Sequence, residues 1–330
     1  MVITQTPVRI SFLGGGTDYP DYYLNHGGGA TLAASINQYT IITVHHLTKF
    51  VDYDLSIHYS TVENVKTLAD VKHPSARECL RYLGIERGVE IHYVTNLPAR
   101  TGLGSSSSAT VGLLHALHAF QHEMATREQL AAEAVHVEQK LIKERVGSQD
   151  QYACALGALR HYEFLSDGTV RATPVIVPPQ RLQELNDRLL LFYTGVQRHA
   201  HDILEEQIER TVTGQNTKQL DRMKTLVGQG VDVLTGHHDL SQFGELLHCG
   251  WLLKRDLSSK IASAGIDETY ARARKAGAIG GKLLGAGGGG FLLLYAEPED
   301  HHQIYKALPE YRSVRFSFDN LGSQTIFYRP

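Results

Sequence analysis

Residues 97–109 read LPARTGLGSSSSA, and the predicted architecture of the whole chain starts from this segment. It follows a strand-like run, VEIHY at 89–93, and leads into the apolar run ATVGLLHALHAF, which is typical of a helix. A loop that feeds a helix N-terminus presents unpaired backbone N–H groups and a partial positive charge, which suit an anion. Gly102 and Gly104 would let the backbone approach that anion closely. The alternative interpretation is a serine-rich helix cap after a flexible turn.

Two carboxylates follow this loop in a pattern that suggests chemistry. A helix predicted at 127–145 places Glu138 on its apolar stripe, and an inward carboxylate must be paired, protonated or bound to a cation. Asp150 lies twelve residues later, in the polar segment GSQDQ at 147–151, which we interpret as a turn. Together they predict one acid for a metal ion and one for a proton. The alternatives are a helix-end salt bridge for Glu138 and a simple turn for Asp150.

The N-terminus adds an arginine and a third acid. Residues 3–13 (ITQTPVRISFL) alternate as a strand does and run into the glycine turn GGGTD at 14–18. Arg9 lies among apolar neighbours and needs a carboxylate or phosphate partner, which could also be a structural salt bridge. Asp18 would project from the turn as a hydrogen-bond acceptor, or it would form an Asx turn that supports the loop.

A second glycine-rich segment lies near the C-terminus. Residues 280–294 read GGKLLGAGGGGFLLL and contain the spacing of a dinucleotide-binding fingerprint at Gly285, Gly287 and Gly290. A dinucleotide loop follows a strand and opens a helix, whereas these glycines precede the strand-like run FLLLYA. The sequence GxxxxGK[ST] is also absent, which excludes the common P-loop. We therefore expect this loop to pack against another loop or a substrate.

Length and composition set the frame for these motifs. A chain of 330 residues exceeds one ordinary core and predicts two domains. The best boundary is Pro178-Pro179, which gives domains at 1–177 and 178–330. An apolar fraction of 42% and a charged fraction of 20% are typical of a folded protein. The net charge of −3, without long runs of one sign, gives no indication of nucleic-acid or membrane binding.

The cysteine and histidine residues give information on the cellular compartment and on possible metal sites. Three widely spaced cysteines, no signal-peptide pattern and no long apolar run predict buried thiols in a cytoplasmic protein. Histidine is frequent, at 18 residues, and His118 and His122 are four apart on a predicted helix. No third ligand accompanies them at metal-binding spacing. The sequence therefore favours ordinary surface or core histidines over a histidine metal site.

Three separated segments resemble the sequence motifs of the GHMP kinases. They are RISFLGGGTDY at 9–19, PARTGLGSSSSA at 98–109 and KLLGAGGGGF at 282–291, in the family's order. The resemblance implies an α+β, two-domain GHMP kinase fold. Its N-terminal domain would be ribosomal protein S5 domain 2-like, its C-terminal domain ferredoxin-like, and the active site would lie in the cleft between them. It also implies ATP as the phosphate donor and Mg²⁺ as the metal.

The same resemblance implies roles for individual residues. Asp150 would be the base or the orienting carboxylate for the substrate hydroxyl, with Arg9 beside it. Either Ser105 or Ser106 would bind Mg²⁺ together with Glu138. The ATP phosphates would lie on the loop residues Gly102, Leu103, Gly104, Ser105, Ser106 and Ser107. The substrate would contact Asp18, Gly16, Thr17 and Gly287, with Gly285 and Gly288 supporting the phosphate loop.

The substrate is indicated by finer features. Gly15 and Gly16 stand where galactokinases have a glutamate and a histidine, which disfavours galactose. FLGGGTDY, GSQDQ and YTGVQRHAHDIL resemble heptose 7-phosphate kinases and the kinase half of fucokinases. That resemblance implies phosphate transfer from ATP to the anomeric oxygen of a sugar, and a product that feeds nucleotide-sugar synthesis. Arg198 and Lys282 are candidates for a substrate phosphate, although either could be an ordinary structural or solvated cation.

Two alternatives to a heptose 7-phosphate kinase stay open. One is a kinase for fucose or another higher-carbon sugar. The other belongs to a different class, a non-catalytic sugar sensor on the same fold. The sequence does not indicate the oligomeric state.

Overall fold

The structure is a computed structural model that describes residues 1–98, 101–195 and 200–330, with 200–203 described by backbone alone. The strands are β1 (Val2–Leu13), β2 (Gly29–His46), β3 (Leu55–His58), β4 (Val62–Val65), β5 (Val89–Thr95), β6 (Leu159–Phe164), β7 (Val170–Pro174), β8 (Leu189–Tyr193), β9 (Gly280–Leu283), β10 (Phe291–Tyr295), β11 (Arg312–Ser313) and β12 (Gln324–Tyr328). The helices are α1 (Pro20–Tyr23), α2 (Pro74–Tyr82), α3 (Ser105–Phe120), α4 (Arg127–His136), α5 (Gln149–Leu156), α6 (Pro179–Asp187), α7 (Ala200–Val212), α8 (Thr217–Thr235), α9 (Ser241–Arg255), α10 (Ala264–Lys275) and α11 (His301–Ala307).

Eight of these strands form a mixed sheet with the order β12-β1-β2-β5-β3-β4, and β6 and β7 extend it from the other end of β2. The strand predicted at 3–13 is confirmed as β1, but burial alternates only at residues 2–5 of β1 and 40–45 of β2, whereas residues 6–13 and 29–36 are buried throughout. Apolar side chains of β2, β3 and β5 pack against α2, α3 and α4, and the buried cluster includes Ile42, Ile57, Ile91 and Leu114. One face of this end of the sheet therefore carries the helices.

A second, antiparallel sheet has the order β11-β8-β10-β9 and packs against the C-terminal helices. Trp251 of α9 is completely buried in that core. Helix α8 also reaches the first sheet, because a Cβ built on Gly230 would lie 2.5 Å from Cδ1 of Leu13. The two sheets are therefore joined by directly packed elements, with the predicted α+β composition.

The end of the chain returns to the first sheet. Strand β12 pairs antiparallel with β1, from Val2 opposite Tyr328 to Gln5 opposite Gln324. Residues 324–328 thus lie in the N-terminal sheet although they belong to the predicted range 178–330. The boundary at 177/178 stays a prediction.

Local structure differs from the sequence-based expectations at several points. Helix α3 begins at Ser105 and therefore includes all four serines, and Asp150 lies in the first turn of α5 and not in a free turn. The helix predicted to reach residue 145 ends earlier, with a π-helical segment at Val137–Leu141. Residues 314–318 form no strand in the described structure, although Phe318 makes an isolated antiparallel bridge with Ile36.

The prediction of buried cysteines is confirmed in part. Cys79 and Cys154 are buried, as expected, whereas Cys249 is exposed, so the prediction of three buried thiols was wrong for Cys249. Among the described residues, no helix combines the length and the apolar composition needed to cross a membrane.

Candidate active site

A cavity of about 740 Å³ opens where the two glycine-rich loops meet the first sheet. Its wall is built from β1, the N-terminal turn of α3, the loop before α5, and the loop between β9 and β10. Both ends of the chain therefore contribute to one cleft. Of the predicted site residues, the following line it: Arg9, Gly16, Asp18, Gly102, Gly104, Ser105, Ser106, Asp150, Lys282 and Gly287.

Arg9 and Asp150 form the central ion pair of this cleft. Nε of Arg9 donates to Oδ1 of Asp150 at 2.8 Å, and Nη2 donates to Oδ2 at 2.7 Å. The remaining guanidinium nitrogen, Nη1, donates to the carbonyl oxygen of Gly102 at 2.7 Å. The side chain of Arg9 is 4% exposed and that of Asp150 is 27% exposed, so the carboxylate still faces the cleft. A bidentate ion pair fixes the plane of its carboxylate. The Asp150 carboxylate is therefore held in one orientation against the glycine loop.

The glycine loop leaves its helix N-terminus open. Gly104 is the N-cap of α3 with a φ of 73°, and no side chain of the described residues caps the helix. The first-turn N–H groups of α3 therefore lack the serine cap considered from sequence, and they remain available to an anion. Leu103 is buried, and its carbonyl accepts a hydrogen bond from the N–H of Arg9 at 2.9 Å. A Cβ on Gly104 would lie 3.3 Å from Oδ2 of Asp150, which brings this loop and that carboxylate into contact.

The C-terminal glycine loop packs closely against the backbone of the first loop. A Cβ on Gly285 would lie 2.4 Å from Cα of Gly102, and one on Gly102 would lie 2.4 Å from the carbonyl oxygen of Leu284. Both glycines have positive φ, +87° for Gly102 and +70° for Gly285. A side chain at either position would separate the loops. Gly288 donates its N–H to the carbonyl of Ile261 at 2.8 Å, which anchors the other side of the loop.

Glu138 lies completely buried behind the serine turn. Its Oε2 accepts hydrogen bonds from Oγ of Ser107 at 2.9 Å and from Nε2 of Gln151 at 2.5 Å. Its Oε1 is buried and has no hydrogen-bond partner among the described residues. Burial raises the pKa of Glu138 to about 7. A buried carboxylate oxygen without a partner needs a proton or a cation, and oxygen ligands are those that Mg²⁺ prefers.

The serines divide between two positions. Ser107 is the serine that contacts Glu138, and it is buried. Ser105 and Ser106, the two predicted metal ligands, line the cleft instead. These residues fit a Mg²⁺ ion between the serine turn and Glu138, because the carboxylate offers one unused oxygen there.

Asp18 lies beside Asp150 at the base of the cleft. Its Oδ1 accepts from the N–H of Gly16 at 2.9 Å, and its Oδ2 accepts from the N–H of Gln149 at 3.4 Å. Burial raises the pKa of Asp18. Thr17 is fully buried, and its hydroxyl bonds the carbonyls of Gly14 and Ala30, so this residue supports the glycine turn and does not line the cleft.

Two buried lysines approach the same cavity. Lys282, predicted from sequence, donates to the carbonyl of Phe12 at 2.9 Å, and burial holds its pKa well below the usual range. Lys254 of α9 donates to the carbonyls of Leu283 and Gly285. Burial, reinforced by the positive charge of Arg9, lowers the pKa of Lys254 to about 8. Arg198, the other predicted phosphate contact, lies outside the described residues.

Sequence reasoning missed Lys254, Gln149 and Gln207, which also line the cleft. Lys254 carried a usable signal, because it follows the buried residues Leu247 and Trp251 at helical spacing and is itself buried. Gln149 precedes Asp150 in the sequence, but its side-chain carbonyl accepts from Oγ of Ser11 at 2.8 Å, a contact that depends on the tertiary fold.

Comparisons with known proteins point to one family. Residues 71–158 match the family described as GHMP kinases N terminal domain, and residues 233–313 match GHMP kinases C terminal. A D-glycero-alpha-D-manno-heptose 7-phosphate kinase of Campylobacter jejuni is 26% identical, with 97% of both chains covered. A bifunctional fucokinase/GDP-fucose pyrophosphorylase of Arabidopsis thaliana is 26% identical, with 93% of this chain but 31% of the plant protein covered.

The fold has solved counterparts. The crystal structure of a D-glycero-D-manno-heptose 1-phosphate kinase from Bacteroides thetaiotaomicron superposes with a TM-score of 0.81, at 22% identity and with 100% of both chains covered. A galactokinase from Lactococcus lactis gives a TM-score of 0.73 at 18% identity, with 98% of this chain and 94% of that chain covered. The family matches lie on both halves of the chain, and together with this fold they show that the chain belongs to the GHMP kinases, a family of ATP-dependent phosphotransferases.

Proposed function

We propose that this chain is a sugar kinase that transfers the γ-phosphoryl group of ATP to the anomeric hydroxyl of a sugar. The proposed substrate is D-glycero-D-manno-heptose 7-phosphate, and the product is the 1,7-bisphosphate. The observation that carries the proposal is the bidentate Arg9–Asp150 pair held against the open phosphate loop. The similarity to a heptose 7-phosphate kinase over nearly the whole chain supports this substrate.

The proposed chemistry uses groups that already meet in the cleft. The sugar oxygen attacks the γ-phosphorus, the bond to the β-phosphate oxygen breaks, and ADP leaves. Asp150 orients the hydroxyl and accepts its proton, while Arg9 fixes the carboxylate and adds positive charge beside the transferred group. The N–H groups at the start of α3 bind the phosphates of ATP.

Glu138 and either Ser105 or Ser106 would hold Mg²⁺ in this proposal. The metal would neutralise phosphate charge and hold the triphosphate in line with the acceptor. The unpaired Oε1 of Glu138 supports the assignment, and the contact of Ser107 with Oε2 keeps the carboxylate turned toward the loop.

The sugar itself would lie against the polar floor of the cleft. Asp18 and Gly16 are proposed to bind its hydroxyls, next to Gln149. Lys282 is proposed as one contact for the phosphate of the substrate, since it is a buried amine on the cleft wall. Lys143 and Arg145 also line the cleft from the loop before α5 and add positive charge on that side.

The test is ADP release from the purified full chain, measured with ATP, Mg²⁺ and a panel of free and phosphorylated sugars. We expect turnover of heptose 7-phosphate, with the new phosphate located on the anomeric carbon by ³¹P NMR. Turnover of free fucose but not of heptose 7-phosphate would select the fucokinase alternative. Sugar binding without any ADP release would select the sensor and overturn the proposal.

A further inference from the structure

A second cluster of ligand-type side chains lies outside the cleft, on strands β2, β3 and β5. It comprises His45, His58, Glu90 and His92, and none of them lines the cavity described above. His45 is paired with Glu90 across the antiparallel β2–β5 ladder, and His92 lies two residues further along β5. Residues two apart on a strand project from the same face, so register alone brings these groups together.

The atoms of the cluster converge on one carboxylate oxygen. Oε1 of Glu90 lies 2.8 Å from Nε2 of His92 and 3.6 Å from Nε2 of His45. The ligand atoms of these three residues all lie within 4.8 Å of one another. Donor atoms around a tetrahedral Zn²⁺ ion are separated by about 3.3 Å, given metal–ligand bonds of about 2.0 Å. Small side-chain adjustments would therefore place all three on one ion.

The hydrogen bond of His45 indicates why a cation is favoured there. Nδ1 of His45 lies 3.1 Å from the carbonyl oxygen of His46, and because a carbonyl can only accept, Nδ1 carries the proton. In the neutral ring, Nε2 then directs its lone pair toward the carboxylate of Glu90, which is also an acceptor. Oε1 of Glu90 already accepts from Nε2 of His92, so a metal ion would replace that proton and would also bind the lone pair of His45. A histidine whose second nitrogen donates to a backbone carbonyl is also the usual arrangement of metal-bound imidazoles.

His58 has a different part in the cluster. Oγ of Ser56 donates to Oδ1 of Asn64 at 2.8 Å, so it accepts from Nε2 of His58, which lies at the same distance of 2.8 Å. Nε2 of His58 therefore carries a proton and is not a free ligand. Its ring stacks on that of His92, with centroids 4.1 Å apart, and orients it. Nε2 of His92 also carries a proton, which it donates to Oε1 of Glu90, but donor and acceptor both belong to the cluster, so a bound ion would displace that proton and keep both groups as ligands. The ligand set is thus two imidazoles and one carboxylate.

We propose that His45, Glu90 and His92 bind one divalent transition-metal ion, with Zn²⁺ as the natural probe, at a site separate from the catalytic cleft. Imidazole and carboxylate donors suit Zn²⁺ and related ions better than they suit Mg²⁺. The three side chains are 33%, 20% and 36% exposed, which leaves the remaining coordination positions open to water.

The test is Zn²⁺ titration of the full chain by calorimetry, with Mg²⁺ and ADP in excess to occupy the cleft. We expect one equivalent of Zn²⁺ to bind, and we expect His92→Ala and Glu90→Gln each to weaken binding by at least about tenfold. His302→Ala, which removes an exposed histidine elsewhere, is the matched control and should bind Zn²⁺ as the wild type does. Circular dichroism of each variant reports folding, and the near-isosteric His45→Gln provides a second, milder ligand change.

A second readout identifies the ligands independently of affinity. Co²⁺ added in place of Zn²⁺ should give the visible absorption of an imidazole-bound, low-coordinate ion, and this signal should be lost in His92→Ala. Equal Zn²⁺ affinity in the wild type, His92→Ala and Glu90→Gln would overturn the proposal. Loss of the bound ion in Glu138→Ala but not in the strand variants would place it in the catalytic cleft and would overturn it as well.

Discussion

At the scale of single residues, Asp150 is the group whose removal should matter most. Asp150→Asn keeps the size of the side chain but removes the negative charge that Arg9 holds against the phosphate loop. We expect kcat to fall by roughly 10²-fold or more, as for the loss of a general base, while ATP binding changes little. Steady-state kinetics and nucleotide titration check the two expectations. Asp167→Asn, in an exposed turn, is the control, and an unchanged kcat in Asp150→Asn would remove this residue from the mechanism.

Glu138 should control the metal requirement and not the chemistry of the hydroxyl. Glu138→Ala removes the buried carboxylate whose Oε1 lacks a hydrogen-bond partner in the part of the chain that the structure describes. We expect the Mg²⁺ concentration for half-maximal activity to rise by at least about tenfold, since carboxylates are preferred Mg²⁺ ligands. Activity measured over a Mg²⁺ series at saturating ATP checks this. A variant with the same Mg²⁺ dependence as the wild type would show that the metal is held elsewhere.

The lowered pKa of Lys254 predicts that kcat/KM depends on pH. Its pKa is lowered to about 8 by burial and by Arg9, so the amine is protonated below pH 8 and loses its positive charge as the pH rises through that value. Because it faces a cleft proposed to bind anions, we expect kcat/KM of the wild type to decrease above about pH 8. In Lys254→Met the activity should be lower throughout, and this alkaline decrease should be absent. An identical alkaline limb in both proteins would assign it to another group.

Individual residues also show how much of the candidate site could be predicted from the sequence. Arg9 and Asp150 each carried a local signal, a charge in an apolar strand and an acid in a glycine-flanked polar segment, and they meet in the structure. Thr17 belonged to the same motif as Asp18, yet its hydroxyl is used by the carbonyls of Gly14 and Ala30. A motif gives the neighbourhood of a residue, whereas burial and hydrogen-bond partners decide whether its side chain faces the cleft.

At the scale of elements, the contact between the two glycine loops should be sensitive to one methyl group. Gly285→Ala places a Cβ 2.4 Å from Cα of Gly102 and demands a positive φ from alanine. We expect KM for ATP to rise at least several-fold, because the phosphate loop must shift. Gly228→Ala is the matched control: Gly228 lies inside α8 with open space around its Cβ position, and the change should stabilise the fold by about 0.5–1 kcal/mol. Equal KM values for both variants would show that the loops tolerate separation.

Helix limits were predictable only in part. The strand before the phosphate loop and the helix after it follow from hydrophobic periodicity, but Ser105 to Ser108 were not assigned to the helix, because serine favours caps and turns locally. The π-helical segment at Val137–Leu141 interrupts a pattern that continues smoothly in the sequence. Glu138 lies in that segment, so the orientation of its side chain depends on the π-helical distortion, which hydrophobic periodicity does not reveal.

At the scale of the whole molecule, Ser323 joins the end of the chain to its beginning. Its buried hydroxyl bonds Oγ1 of Thr6 at 2.8 Å and Nδ1 of His115 at 2.9 Å. We expect Ser323→Ala to lower the free energy of unfolding by about 1–3 kcal/mol, because the buried Thr6 and the partly buried His115 each lose a partner, with kcat nearly unchanged. Chemical denaturation checks this, with the exposed Ser166→Ala as control. A loss no larger than that of the control would show that this junction contributes little.

Long-range topology was the part least accessible from sequence. The α+β GHMP kinase fold was implied by the resemblance of the three motifs to that family, and the comparisons confirm it. The return of β12 to β1 could not be read from either strand, since pairing over 300 residues of separation leaves no local pattern. The convergence of His45, Glu90 and His92 could not be predicted from the sequence either, because it depends on the register of two strands.

The backbone contact between Gly102 and Gly285 joins residues from the two halves of the chain, so nucleotide binding should require both halves. If the chain were produced as two polypeptides cut at Pro178-Pro179, the amino-terminal one would lack both the loop that supports its phosphate-binding turn and the strand that closes its sheet. Neither fragment should hold nucleotide alone, and mixing the two should restore binding. Such complementation would make nucleotide affinity a direct measure of reassembly.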